Sequence, residues 1–265
     1  QRVADLVQLG GNAEYVCRPA SGLIPVPESV DAAEAVCLVL SYMTAYQMLW
    51  HAAGVRRGQK VLVQGGSGAV GTALLQLGRQ AGLEVVATAS DEKLDLLESF
   101  GATAIDYRAS DYDERLRKAA GEGFDAAFDA IGLASFRRSH RLLKRGGALV
   151  TYGTFGAAGA IDRRTPLKFL AFGLNFFAML VALRLWSLLP DRRAARFFGI
   201  VDSRKDYPQR FVEDLDYLFA LLAVGQLNPV IAGRLSLDEA TRAHEMIDAG
   251  SVRGQLVFVM EPVSS

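Results

Sequence analysis

The residues whose spacing most directly implies chemistry are Gln64-Gly65-Gly66-Ser67-Gly68-Ala69-Val70-Gly71. Inside them, Gly66-x-Gly68-x-x-Gly71 has the spacing of a loop that cradles a dinucleotide. One glycine permits a tight turn, the next lets backbone approach a pyrophosphate, and the third lets a helix pack closely on a strand. Spacing alone is a weak signal, because glycine-rich turns are common. The flanks strengthen it: Val61-Leu62-Val63 is a short apolar β-type run, and Ala69 to Ala81 is an apolar helix-type stretch. A helix starting there offers free N–H groups and the positive end of its dipole to phosphates.

A second group of residues bears on which dinucleotide would fit. A site for an unphosphorylated ribose wants an acid at the end of the next strand, about twenty residues on. That strand, Val85-Val86-Ala87-Thr88-Ala89, ends without one. Asp91 follows Ser90 and reads as a first-turn helix residue complementing the dipole. Ser90 and Lys93 offer a hydroxyl and an ammonium where a 2′-phosphate would lie. Their ordinary alternatives are a helix cap for Ser90 and a solvated helix face for Lys93.

Metal and nucleophile signals are sparse. Cys17 and Cys37 are too few for a disulfide framework or a four-thiolate zinc lobe. Cys37 reads as a buried thiol on an apolar helix. His51, His140 and His244 stand far apart in sequence and read as surface or structural residues, so no metal site is expected.

The elements that must position these groups follow a regular beat. Strand-like runs fall at 61–64, 84–89, 102–105, 125–130 and 148–152, with helix-like stretches at 69–81, 91–100, 111–120 and 134–144 between them. Gly82, Gly101 and Gly121 follow three of the helices, where a left-handed residue is wanted. Ser90 and Ser110 are placed to cap the second and third. This alternation predicts an α/β fold, a doubly wound parallel sheet with helices on both faces and the glycine loop at its ligand-binding edge.

The flanks differ. Residues 2–7, 14–18 and 23–26 read as short strands, with Gly10-Gly11-Asn12 as a turn. Residues 32–53 read as one or two helices. Later, 211–224 and 237–249 read as helical, Ser236-Leu237-Asp238-Glu239 as a capping box for the second, and 255–260 as a strand.

Composition sets the class. The chain has 265 residues, 51% of them apolar, and 29 basic residues balance 29 acidic ones. Zero net charge removes the electrostatic footprint of a nucleic-acid binder. Residues 1–20 lack a basic start followed by an apolar core, so no signal peptide is expected, and a reducing, cytoplasmic compartment is the default. One stretch, 167–189, is long and apolar, but Lys168, Asn175 and Arg184 interrupt it and leave Phe176 to Leu183 as its longest run free of polar side chains. It reads as a buried or interface helix lining an apolar pocket, with contact to a membrane surface as the alternative.

In order along the chain, several motifs resemble the medium-chain dehydrogenase/reductase superfamily, in its zinc-free, quinone oxidoreductase-like (zeta-crystallin) branch. They are Gly11-Asn12-Ala13-Glu14-Tyr15-Val16, Ile24-Pro25-Val26-Pro27, Thr44-Ala45-Tyr46 and the glycine loop with its strand. Next come Ala87-Thr88-Ala89-Ser90 with Lys93, Gly101-Ala102 with Asp106-Tyr107, Gly146-Gly147 leading to Gly153, Ala243-His244, and Gly254-Gln255-Leu256-Val257. The resemblance implies a Rossmann domain over 37–226. Residues 1–36 and 227–265 would be parts of a GroES-like β domain of which roughly sixty to eighty N-terminal residues are not in this sequence.

It also implies NADPH as cofactor. Gly66, Ser67, Gly68, Ala69 and Val70 would lie at the pyrophosphate, Ser90, Lys93 and Tyr107 at the 2′-phosphate, and Thr44 near the nicotinamide under a loop that starts at Gly153. The implied reaction passes a hydride to a quinone or an α,β-unsaturated carbonyl, in a homodimer, with an alcohol dehydrogenase-like reaction or a non-catalytic nucleotide-binding or membrane-associated role as alternatives. Zinc-dependent relatives carry a cysteine where Leu40 stands. Tyr42 reads as a packed tyrosine, and no catalytic acid is assigned. The usual Gly-Lys of the last strand is Gly254-Gln255 here, which removes a cation.

Overall fold

The computed structural model describes residues 1–7, 9–153 and 166–260. At the N-terminus β1 (Val3–Ala4) pairs antiparallel with β2 (Ile24–Pro25). A continuous helical run, α1 (Ala32–Ala53), follows, capped by the Asp31 carboxylate accepting from Glu34 N at 3.0 Å. It widens into π-type turns at Leu38–Tyr42 and Met48–Ala53 and stops at Gly54, whose φ is +64°. Among the described residues it is the one helix long and apolar enough to cross a membrane. Most of it is buried, as in the core helix of a folded domain.

Then the alternation expected from 60 to 153 is present: β3 (Lys60–Val63), α2 (Ala69–Gln80), β4 (Glu84–Ala89), α3 (Leu94–Ser99), β5 (Thr103–Asp106), α4 (Tyr112–Ala120), β6 (Phe124–Asp129), α5 (Leu133–Arg141) and β7 (Leu143–Tyr152). Beyond it lie α6 (Pro166–Trp186), β8 (Ala194–Phe198), α7 (Ile200–Asp206), α8 (Pro208–Ala223), β9 (Ile231–Leu235), α9 (Ala240–Asp248) and β10 (Gln255–Phe258).

Six strands form one parallel sheet in the order β5-β4-β3-β6-β7-β8. The order reverses at β3, so the glycine loop leaves the sheet at the topological switch point where open α/β sheets bind ligands. One register row crosses the sheet as Val86, Leu62, Ala127, Leu149 and Ala195. Leu116, Phe136, Met179 and Leu183 from α4, α5 and α6 pack on that row, all buried. Both faces are covered, which is why the strands read as apolar runs rather than alternations.

The chain divides into two compact units. One comprises residues 1–46, 67–73 and from Ile200 onward; the other comprises 47–66 and 74–199 and holds the sheet. In the first unit β9 and β10 pair in parallel, and Arg204 of α7 donates to Leu6 O at 2.8 Å and Gly22 O at 2.9 Å while pairing with Asp5 at 2.6 Å.

Several sequence expectations need correction. Residues 14–18 form no strand, and 2–7 contributes only the two residues of β1. Helix 134–144 ends at Arg141, and β7 begins at Leu143. The strand extends that far because its register against β6 shifts between Phe124 and Ala126, with glycine at 147, where a Cβ would lie 2.8 Å from Phe124 O. Helix 91–100 is a 3₁₀ turn, Asp91–Lys93, followed by α3. Ser110 caps nothing, because α4 starts after Asp111, whose carboxylate bonds Arg115 at 2.8 Å. The box at Ser236 and Glu239 is formed. Strand β8 was not foreseen.

Candidate nucleotide-binding site

The glycine loop is held against β4 and β6 by three bonds. Gly66 N donates to Thr88 O at 2.8 Å, Gly65 N to Thr88 Oγ1 at 3.2 Å, and Gln64 N to Phe128 O of β6 at 2.9 Å. The glycines divide their tasks differently from the expected scheme. The turn residue is Gly65, at φ +72°, one place before the fingerprint. Gly66 serves close packing, since a Cβ there would meet Ala87 Cβ at 3.0 Å and Leu97 at 3.3 Å. Farther along, Ser67 O accepts from Gly254 N at 2.8 Å, and Gly68 forms a parallel bridge with Gly254. Ser67, Gly68, Ala69 and Val70 remain half-buried at the start of α2, whose first N–H groups have no partner within the helix. Backbone donors, a dipole end and a loop with no side-chain bulk fit a pyrophosphate.

A buried polar network lies behind this loop, and sequence reading missed it. Gln64 Oε1 accepts from Thr88 Oγ1 at 2.7 Å and from the Tyr112 phenol at 3.0 Å. Gln64 Nε2 donates to Ser139 Oγ at 3.4 Å. Asp129, fully buried at the end of β6, accepts from Ser135 and Ser139, each at 2.7 Å, and from Ile131 N at 2.9 Å. Burial pushes the Asp129 carboxyl upward, opposed by those three donors. One connected set of hydrogen bonds thus fixes the ends of β3, β4 and β6 relative to one another.

At the ends of β4 and β5 the expected phosphate residues gather. Tyr107 N donates to Ala89 O at 3.0 Å, and Lys93 N to Ser90 O at 2.9 Å. Ser90 is buried; its hydroxyl bonds the Glu92 carboxylate, not a helix N–H, so its expected capping role is not formed. Lys93 is only 7% exposed, contrary to the solvated-face alternative, and Tyr107 is 49% exposed. Sequence reading overlooked Arg108, whose guanidinium lies over the Tyr107 ring at 5.5 Å and 3.4 Å from Glu92. A cation directly after a strand-end tyrosine was the available signal.

The remaining residues are placed separately. Thr44 is buried on α1 in the first unit, and Gly153 ends β7 in the second with φ +58°. The loop expected after Gly153 lies outside the described residues. Tyr42 is buried, its hydroxyl without a partner among the described residues, and burial raises its pKa. Cys37 Sγ donates to Ala33 O at 3.1 Å, and burial pushes its thiol up to about 12, so it stays protonated. Leu40 is 50% exposed. His140 is buried against Trp186, with ring centroids 5.3 Å apart. Gln255, where the resemblance had a lysine, accepts from Ser41 Oγ at 2.8 Å. Among the described residues, no three His, Cys, Asp or Glu side chains group as a metal site. A cavity of about 380 Å³ between Arg79, Leu83, Glu98 and Phe100 opens at the opposite, N-terminal edge of β4 and contributes nothing to this site.

Sheet order, switch-point loop and glycine geometry together define a Rossmann dinucleotide-binding domain of the dehydrogenase type. The chain belongs to the zinc-binding dehydrogenase family, whose sequence model matches residues 100–258, and within the medium-chain dehydrogenase/reductase superfamily to the quinone oxidoreductase-like branch. It is 28% identical to the human quinone oxidoreductase over 255 residues, spanning 95% of this chain and 70% of that protein. It is 29% identical to the rat synaptic vesicle membrane protein VAT-1 homolog, over 98% of this chain and 64% of that protein. Among solved structures, the quinone oxidoreductase of Thermus thermophilus, determined also as its complex with NADPH, superposes with a TM-score of 0.74. That match is 32% identical and covers 98% of this chain and 77% of that one.

Proposed function

We propose that the chain is an NADPH-dependent oxidoreductase that reduces a quinone or an α,β-unsaturated carbonyl without zinc. The observation that carries the cofactor choice is the end of β4. Ser90 occupies the position where an acid would bind a free 2′-hydroxyl, and Lys93, Tyr107 and Arg108 stand beside it. The relatives support the reaction: several are quinone oxidoreductases, and the Thermus enzyme binds NADPH. Leu40 at the zinc-ligand position and a protonated Cys37 support the zinc-free reading.

When bound, NADPH supplies the hydride. The chain's own residues do the positioning. Backbone N–H groups from Ser67 to Val70 would hold the pyrophosphate, and the Thr88 bonds keep that loop in place. Lys93 and Arg108 would neutralise the 2′-phosphate, with the Ser90 hydroxyl turning from the Glu92 carboxylate to donate to it.

One observation favours a second reading. Glu92 already accepts from Ser90 and pairs with Arg108, and a carboxylate there could bind the 2′-hydroxyl of NADH. Titrating the protein with NADPH and NADH by nicotinamide fluorescence separates the two. The proposal expects NADPH to bind more tightly, and Lys93→Ala or the exposed Arg108→Ala to weaken it about ten-fold or more while leaving NADH unchanged. Tighter NADH binding, lost in Glu92→Gln, would reverse the assignment. Oxidation of the preferred cofactor with a panel of quinones and enones then tests the reaction.

A further inference from the structure

The helix expected to be buried or to form an interface is buried on one side only. Phe176, Met179, Leu183 and Trp186 of α6 form the stripe seated on the sheet and α5. The opposite side is as apolar but open: Leu174, Phe177, Leu180, Val181 and Leu185 are exposed, and Leu188 and Leu189 continue the patch beyond the helix. A helix apolar all round is normally enclosed, and a contiguous exposed apolar face marks a surface that something covers.

Charge identifies the partner. In a chain of zero net charge, residues 173–196 carry four arginines and one acid, Asp191, which is paired with Arg193. Residues 133–145, spanning the neighbouring α5, carry five basic residues and no acid; Arg138 pairs with Asp113 and Lys144 with Asp125, so the excess lies in Arg137, Arg141 and Arg145. The His140–Trp186 contact brings the end of α5 against α6, with exposed Arg141 next to that contact and exposed Arg137 one turn before it. Arg184 falls on the open side, three residues after Val181 and four before Leu188. An isologous contact with a second copy would set this basic patch against itself. An anionic lipid surface satisfies both features, accepting the apolar side chains between its headgroups and attracting the arginines around them.

We infer that the exposed face of α6, rimmed by Arg137, Arg141, Arg184 and Arg192, docks the protein reversibly on an anionic membrane surface. This assignment does not depend on the proposed reaction.

Co-sedimentation with vesicles of phosphatidylcholine alone, and of phosphatidylcholine with about one third phosphatidylglycerol, tests it. Binding is expected to the anionic vesicles, at least ten-fold stronger than to the neutral ones, and to fall as salt rises to about 0.5 M. Phe177→Ser combined with Leu185→Ser should abolish binding to both. Arg184→Glu combined with Arg141→Glu should remove only the preference for anionic lipid. All four positions are exposed, so the thermal midpoint should stay within a few degrees. No binding to anionic vesicles by the folded protein, or equal binding to both compositions, overturns the inference. So does a self-association abolished by the Phe177/Leu185 variant with no vesicle binding, which would make the face an interface between copies.

Discussion

Thr88 shows how much of the candidate site rests on one hydroxyl. Its Oγ1 accepts from Gly65 N and donates to Gln64 Oε1, joining the glycine turn to the network that runs on to Asp129. Valine has nearly the same shape but neither bond, leaving the Gly65 N–H and one Gln64 lone pair without their partner. Thr88→Val should cost about 1–3 kcal/mol of stability, the usual penalty for an unsatisfied buried group, and should weaken nucleotide binding at the loop. Denaturant unfolding and nicotinamide fluorescence measure the two effects. Unchanged nucleotide affinity in the folded variant would mean that the loop holds its shape without the network. Tyr42 gives the opposite expectation. Its buried hydroxyl has no partner among the described residues, so Tyr42→Phe should leave stability unchanged or raise it by about 1 kcal/mol in the same unfolding measurement. A marked loss would reveal a partner for that phenol.

At the scale of elements, α7 fastens the N-terminal segment. Arg204 reaches two backbone carbonyls 16 residues apart and shares Asp5 with Arg18. Those two arginines hold the Asp5 carboxyl below its ordinary value despite partial burial. A lowered folded pKa gives stability that is present above the ordinary value of about 3.9 and is lost as pH falls through the folded one. Arg204→Met should therefore loosen residues 1–25, seen as faster amide exchange there at neutral pH, while exchange in β3–β7 is unchanged. None of this was readable from sequence, because the partners lie nearly 200 positions apart and an isolated arginine carries no pattern. The β3–β7 alternation was readable, since apolar runs, helix periods and glycine stops all recur locally. β8 was not: it follows a long helix with apolar residues on both its seated and its open side, which offers no period to show where the sheet resumes. The glycine loop was legible by spacing, but which glycine turns and which packs depends on Ala87 and Leu97, neighbours that only the fold supplies.

For the sheet unit as a whole, the coupling between stability and pH should centre on His140. Its ring lies against Trp186 at a tilt of 33° where α5 meets α6, and Nε2 is buried without a partner among the described residues. Burial lowers its pKa first; Asp191 raises it and Arg193 lowers it again. In the unfolded chain the imidazole returns to about 6.5, so between the folded value and 6.5 the unfolded state binds more protons. Stability should then be fully present above about 6.5 and decline as pH falls toward the folded value. The charge would enter the contact that seats α6 on the sheet, so Trp186 fluorescence should report the loss. His140→Phe keeps a ring against Trp186 and removes the proton. Its thermal midpoint should change less between pH 7.5 and about 5 than that of the unaltered chain, with the remaining slope left to carboxylates. An identical slope in both proteins would place the pH sensitivity elsewhere, and would mean that the buried stripe of α6 stays seated through mild acidification.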